Sequence, residues 1–95
     1  MADVRVTRSE DGLKYLLLVD GVEAGLIASG LKEGTIVLYH TEVDSAFEGR
    51  GLGSVLVAGA LDDIRRRGLE VEPLCPFVAA YIARHPEYAD LVAAS

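Results

Sequence analysis

The sequence predicts a mixed α/β (α+β) domain with the element order β-β-β-β-α-β-α. Three observations carry that expectation. The N-terminal half alternates apolar and polar residues with a period of two and holds the hairpin dipeptide Asp20-Gly21. A glycine-rich stretch, FEGRGLGS at 47–54, then introduces apolar spacing with a helical period. Finally, LEVEP at 69–73 returns as a short strand, close enough to permit a parallel crossover.

The elements follow in order. VRVTR (4–8) reads as the first strand, and KYLLLV (14–19) and VEAGLIAS (22–29) as the two arms of the Asp20-Gly21 hairpin. After GLKEG (30–34) comes TIVLYHTEV (35–43), with Ile36, Leu38, His40 and Glu42 on one face and Thr35, Val37, Tyr39, Thr41 and Val43 on the other. Both faces begin apolar, which predicts a central strand covered on both sides, so its polar end needs a separate explanation. Apolar and small residues at 52, 55, 56, 59, 60 and 64 predict a helix over 51–67, stopped by Gly68. Pro76 suits the first position of another helix, and His85-Pro86 interrupts it, giving two short C-terminal helices. No repeat, linker or low-complexity segment is visible.

With 95 residues, 51% of them hydrophobic and 25% charged, the chain is expected to form one domain over 1–95 around one core. A formal charge of −6 argues against a nucleic-acid binder, which needs clustered cations to displace counterions. Arg65, Arg66 and Arg67 are grouped, but at the expected helix C-terminus, where cations complement the dipole. The single cysteine, Cys75, cannot form an intramolecular disulfide, and no leader segment or apolar run of membrane-spanning length is recognisable. These features predict a cytoplasmic protein without a membrane or metal requirement, monomeric or weakly dimeric.

The glycine stretch is the first candidate site. Backbone N–H groups at a helix start have no internal partners, and the dipole there favours an anion. Gly49, Arg50, Gly51, Leu52, Gly53 and Ser54 supply a row of such donors. The spacing is neither that of a Walker loop nor that of a dinucleotide-binding fingerprint, and a strand-to-helix turn can require glycine for purely structural reasons. Cys75, immediately before Pro76, falls near a helix N-cap, where the dipole favours thiolate; the plain alternative is an inert buried thiol. His40 and Glu42 share a strand face, placing an imidazole beside a carboxylate; the plain alternative is a histidine bonded to a backbone carbonyl.

HTEV (40–43), EGRGLGS (48–54), PLCPFV (73–78) and HPEY (85–88), in that order, resemble the GNAT superfamily of acyl-CoA-dependent N-acetyltransferases, in particular its minimal members reduced to the acyl-CoA-binding core. The pyrophosphate loop of that superfamily reads Q/R-x-x-G-x-G/A. Residues 48–53 match it except at Glu48, whose carboxylate is expected to point away. The resemblance implies a GNAT-like mixed sheet whose fourth and fifth strands splay apart, with pantetheine pairing along Thr41, Glu42 and Val43. It implies a pyrophosphate on the amides of Arg50, Gly51, Leu52, Gly53 and Ser54, with the Arg50 guanidinium available to a phosphate oxygen. It also implies that His40 and Cys75 lie near the thioester, with Tyr81 a further candidate proton donor and HPEY a structural turn. The implied activity is transfer of an acetyl group from acetyl-CoA to an unidentified amine, such as a lysine or polyamine, directly or through Cys75. The alternative is a catalytically silent coenzyme A or acetyl-CoA-binding regulatory module, because only Ser9 to Leu13 join the first two strands and no acceptor-binding helices lie between them.

Overall fold

The structure, a computed structural model, describes residues 3–93. Strands β1 (Val4–Arg8), β2 (Lys14–Val19), β3 (Val22–Lys32), β4 (Thr35–Val43) and β5 (Glu70–Pro73) form one sheet in chain order. The first four are antiparallel and β5 runs parallel to β4. Helix α1 (Leu52–Arg66) makes the crossover between β4 and β5, and α2 (Pro76–Arg84) follows β5. The expected order is present, with the last helix reduced to a 3₁₀ segment at Pro86–Leu91.

β3 is longer than its sequence pattern indicated. Glu33 and Gly34 both adopt left-handed backbone angles, φ 51° and 81°, so they close a two-residue hairpin and leave residues 30–32 in the ladder. α1 starts one residue later and ends one residue earlier than expected, with Gly51 and Arg67 as its caps.

The larger departure concerns β4. Ala28 pairs with His40 but Ser29 pairs with Leu38, so Tyr39 is an extra residue that bulges the strand. Strict alternation therefore fails. Ile36 and Leu38 face the core, and beyond the bulge Thr41 and Val43 take that face, opposite Ile27 and Gly25. Val37, Tyr39, His40 and Glu42 fall on the other face. His40 and Glu42 remain together, as expected, but on the opposite side of the sheet from Ile36 and Leu38.

Both helices cover the same face. Leu56, Leu61 and Ile64 of α1 and Val78 and Ile82 of α2 join Tyr15, Leu17, Ile27, Leu38 and Val71 in one buried cluster. Leu16, Leu18, Leu26 and Val37, from the other face, are not part of it. The expectation that β4 is covered on both sides is thus corrected: α1, which crosses over between the parallel strands β4 and β5, and α2, which follows β5, both pack on one side of the sheet. The shortest principal extent, 20 Å, has room for only these two layers. Val37 is nevertheless buried, and the Tyr39 ring lies over Gly30, the cross-strand partner of Val37.

Candidate active site

β4 and β5 stay paired only from Thr35 to Leu38, opposite Glu70 to Pro73. The Cys75 amide still donates to the Leu38 carbonyl at 2.9 Å, after which Pro76 opens α2 and carries the chain away. Tyr39 to Val43 therefore present a strand edge with no β5 partner. The gap widens into a cleft of about 370 Å³, lined by Thr41, Val43, Glu48, the glycine loop and Phe77. This accounts for the polar end of the central strand: it borders the gap instead of a neighbouring strand.

The glycine loop forms the wall of the cleft at the start of α1. Asp44 accepts a bond from the Ala46 amide at 2.9 Å and sets the 3₁₀ turn at Ser45–Phe47 that leads into the loop. Gly51 caps α1 in a left-handed conformation, φ 72°, which β-carbon-bearing residues rarely adopt. No side chain caps α1 and no acidic residue lies in its first turn, so the amides of Leu52, Gly53 and Ser54 are left for an external acceptor. Gly53 has a second constraint, since a β-carbon there would stand 2.8 Å from the Phe77 ring. Arg50 places its guanidinium over the Phe47 ring, 5.5 Å from the centroid. Glu48 is exposed and lies along the rim of the cleft.

Cys75 is the N-cap of α2 and almost fully buried. Its Sγ lies 3.3 Å from the Thr41 hydroxyl. Burial pushes the thiol pKa up, but the Thr41 hydroxyl and the backbone groups of Val78, Phe77 and Thr41 together outweigh it, and the thiol sits below its ordinary value. His40 and Glu42 lie across the sheet, with Nε2 3.7 Å from Oε1 and both side chains largely exposed. The structure thus brings Thr41, Val43, Gly51, Leu52, Gly53 and Ser54 to one cleft. Cys75 touches that cleft through Thr41, and His40 and Glu42 stand on the opposite face of the same strand.

Tyr81 does not line the cleft. Its ring is buried in the core and stacks on His85 with centroids 3.9 Å apart, while its carbonyl lies 2.8 Å from His85 Nδ1. HPEY is a structural turn in which the Tyr88 hydroxyl donates to Asp62 at 2.8 Å. The arginine run is likewise more specific than dipole complementation. Arg65 grips Asp90 through two bonds of 2.9 Å, and Arg67 reaches Tyr15 and Asp63. Phe77 and Phe47 were not anticipated as cleft residues; the signal available for Phe77 was an aromatic residue in the first turn after Cys75-Pro76. A larger cavity of about 730 Å³ lies at the other end of α1, beside the β1–β2 turn. It meets the carbonyl end of the helix, so the smaller cleft is the better anion site. Among the described residues no group of three or more His, Cys, Asp or Glu side chains could hold a metal ion, and no helix is long and apolar enough to cross a membrane.

The sheet order, the parted strands and the amide-bearing loop define the class: a minimal α+β core of GNAT type. The model of the GCN5-related N-acetyl-transferase family matches residues 14–91, and the chain belongs to that family. Among similar proteins are Protein NATD1 of Xenopus tropicalis, 26% identical over 87 residues that span 90% of this chain and 80% of that protein, and Protein NATD1 of Mus musculus, 26% identical over 85 residues spanning 87% and 77%. The fold is similar to that of a GCN5-like protein from Staphylococcus aureus, with TM-score 0.72 and 20% identity over 100% of this chain and 93% of that one. It is also similar to the ribosomal-protein-S18-alanine N-acetyltransferase of Escherichia coli, with TM-score 0.60 and 24% identity over 84% and 53% of the two chains.

Proposed function

We propose that this chain is an acetyl-CoA-dependent N-acetyltransferase. The observation that carries the reading is the gap between β4 and β5, with uncapped α1 amides along one wall and Cys75 and Thr41 at its base. The Leu52, Gly53 and Ser54 amides would hold a pyrophosphate, and the unpaired β4 edge from Thr41 to Val43 would bond a pantetheine arm. Glu48 opposes that anion, so the amides and the helix dipole must outweigh one carboxylate. A group in the gap is reachable from both faces of the sheet, because no strand closes it. Cys75 and Thr41 approach from the helix face, His40 and Glu42 from the open face.

Two routes use these residues. In the direct route His40 Nε2, or a water it orients, takes a proton from the acceptor amine, and Glu42 stabilises the resulting imidazolium. The amine nitrogen bonds to the acetyl carbon, the carbon–sulfur bond breaks, and the thiolate leaves to be protonated. In the covalent route the Cys75 thiolate bonds to the acetyl carbon as the carbon–sulfur bond to coenzyme A breaks and its thiolate leaves to be protonated; the amine then attacks the acetyl-cysteine, loses its proton to His40 or water, and releases the Cys75 thiolate. Isotopically labelled acetyl-CoA without amine distinguishes them: only the covalent route leaves label on the chain that is lost in Cys75→Ala.

The five-residue connection from Ser9 to Leu13, which adds no acceptor-binding helix, favours a second reading as a coenzyme A-binding module without turnover. Calorimetric binding of acetyl-CoA without coenzyme A release across amines, polyamines and lysine peptides would favour that reading. Absence of acetyl-CoA binding would overturn both.

A further inference from the structure

We propose that the Thr41 hydroxyl is the proton donor to the coenzyme A thiolate as it leaves, with the Cys75 thiol behind it replacing that proton. The relay rests on the acetyl-transfer reading and belongs to its direct route. That route needs an acid, because the carbon–sulfur bond breaks with both electrons on sulfur, and none of the four tyrosines lines the cleft. Tyr15 and Tyr88 donate to Asp63 and Asp62, Tyr81 is buried in the core, and the Tyr39 ring lies over Gly30. Of the residues that line the cleft, Thr41, Glu48 and Ser54 carry a side-chain oxygen. Ser54 lies in the first turn of α1, among the amides proposed for the pyrophosphate, and Glu48 is exposed at the rim. Thr41 lies on the unpaired edge of β4, just past Leu38, the last residue paired with β5.

Thr41 also has a proton source. Its Oγ1 is 3.3 Å from Cys75 Sγ, and either atom can be the donor. Cys75 is 4% exposed and does not line the cleft, so the hydroxyl, not the thiol, meets a group in the gap. In the step, the amine nitrogen bonds to the acetyl carbon and the carbon–sulfur bond breaks. The Thr41 proton passes to the leaving sulfur as the Cys75 proton passes to Thr41 Oγ1. The products are the acetylated amine, coenzyme A and a Cys75 thiolate. The proton lost by the amine reaches solvent through His40 or water, and solvent returns one proton to Cys75 before the next turn.

The transfer runs downhill. Burial raises the thiol pKa, but the Thr41 hydroxyl and the backbone groups lower it further, below the ordinary 9.0, which makes Cys75 a stronger acid than an ordinary thiol. Few charges face the pair. The first turns of α1 and α2 hold no acidic residue, and Arg50 lies over Phe47. His40 and Glu42 of β4, and Glu70 and Glu72 of β5, lie on the other side of the sheet, which leaves Glu48 at the cleft rim.

Coenzyme A release by the full chain, with spermidine and a lysine peptide as the amine probes, tests the relay. Thr41→Val should lower kcat by about 100-fold, within the usual range for general acid–base catalysis, and leave the KM for acetyl-CoA within about threefold, because the β4 backbone is unchanged. Thr41→Ala serves if Thr41→Val does not fold by circular dichroism, and Thr41→Ser, which returns the hydroxyl, should recover most of the loss. The ratio of kcat in the parent to kcat in Cys75→Ser cancels the ionisation of the acceptor and of its base. That ratio should fall as pH rises from about 6 to about 10, since the serine hydroxyl keeps its proton throughout and the thiol does not. A nucleophilic Cys75 has the opposite sign, because its rate grows with the thiolate. A ratio that rises with pH or stays level, or a Thr41→Val kcat within about twofold of the parent, would overturn the relay and leave acetyl transfer standing. A parent that releases no coenzyme A with either probe would overturn the acetyl-transfer reading and the relay with it.

Discussion

Cys75 shows how far a single position depends on its partners. Its preference for thiolate comes from the Thr41 hydroxyl and from backbone groups at the start of α2, acting against burial. Thr41→Val removes the side-chain contact and should raise the thiol pKa. Titration of the thiolate ultraviolet absorbance in parent and variant reads that shift directly, and an unchanged midpoint would mean that the backbone groups suffice. Two tyrosines provide a second test. Burial first, and then the bonds to Asp63 and Asp62, push Tyr15 and Tyr88 up to about 12 from an ordinary 10.0. The folded state therefore binds these protons more tightly than the unfolded chain. Their contribution is complete below pH 10 and is lost as pH rises from there toward 12. Denaturant midpoints should fall across that window, and less steeply in Tyr15→Phe.

At the scale of elements, α1 touches the sheet more closely than its helical pattern suggests. A β-carbon at Gly59 would lie 2.6 Å from the Val6 β-carbon, next to the β1 backbone, where no flexible side chain can give way. Gly59→Ala should therefore destabilise the protein by up to about 2 kcal/mol, since overpacking of about 1–3 kcal/mol is offset by the roughly 1 kcal/mol gained in helix propensity. Urea denaturation measures the difference, and a stabilised variant would show that β1 moves freely. Gly53 is the contrasting case. The atom a β-carbon would meet is the far end of the half-exposed Phe77 ring, which can swing aside. The same element scale explains the β4 result: one extra residue at Tyr39 reverses which side chains face the helices, so Thr41 reaches Cys75 and His40 does not share its side.

For the whole molecule, one layer of helices on one face of a sheet leaves a parted strand pair at one end and, among the described residues, a second face that no helix covers. Binding to the parted pair should be visible as stability. Acetyl-CoA at about 100 times its Kd adds about 2.7 kcal/mol to the folded state, which for a domain of this size raises Tm by about ten degrees or more. A thermal melt that does not move with added acetyl-CoA would contradict the proposed ligand.

The sequence by itself determined the strand and helix order, the Asp20-Gly21 hairpin, the glycine loop before α1 and the Pro76 start of α2, because turn chemistry, caps and hydrophobic period are local properties. The four motifs also carried the family, which the match over residues 14–91 establishes. Only the tertiary structure decided which face each β4 residue takes, where Glu48 and Phe77 sit, that Tyr81 belongs to the core, and that among the described residues no helix covers the other face of the sheet. Those outcomes depend on a bulge set by pairing with β3 and on α1 and α2 packing against the same face. Each is a relation between segments distant in the chain, and residue spacing within one segment does not encode it.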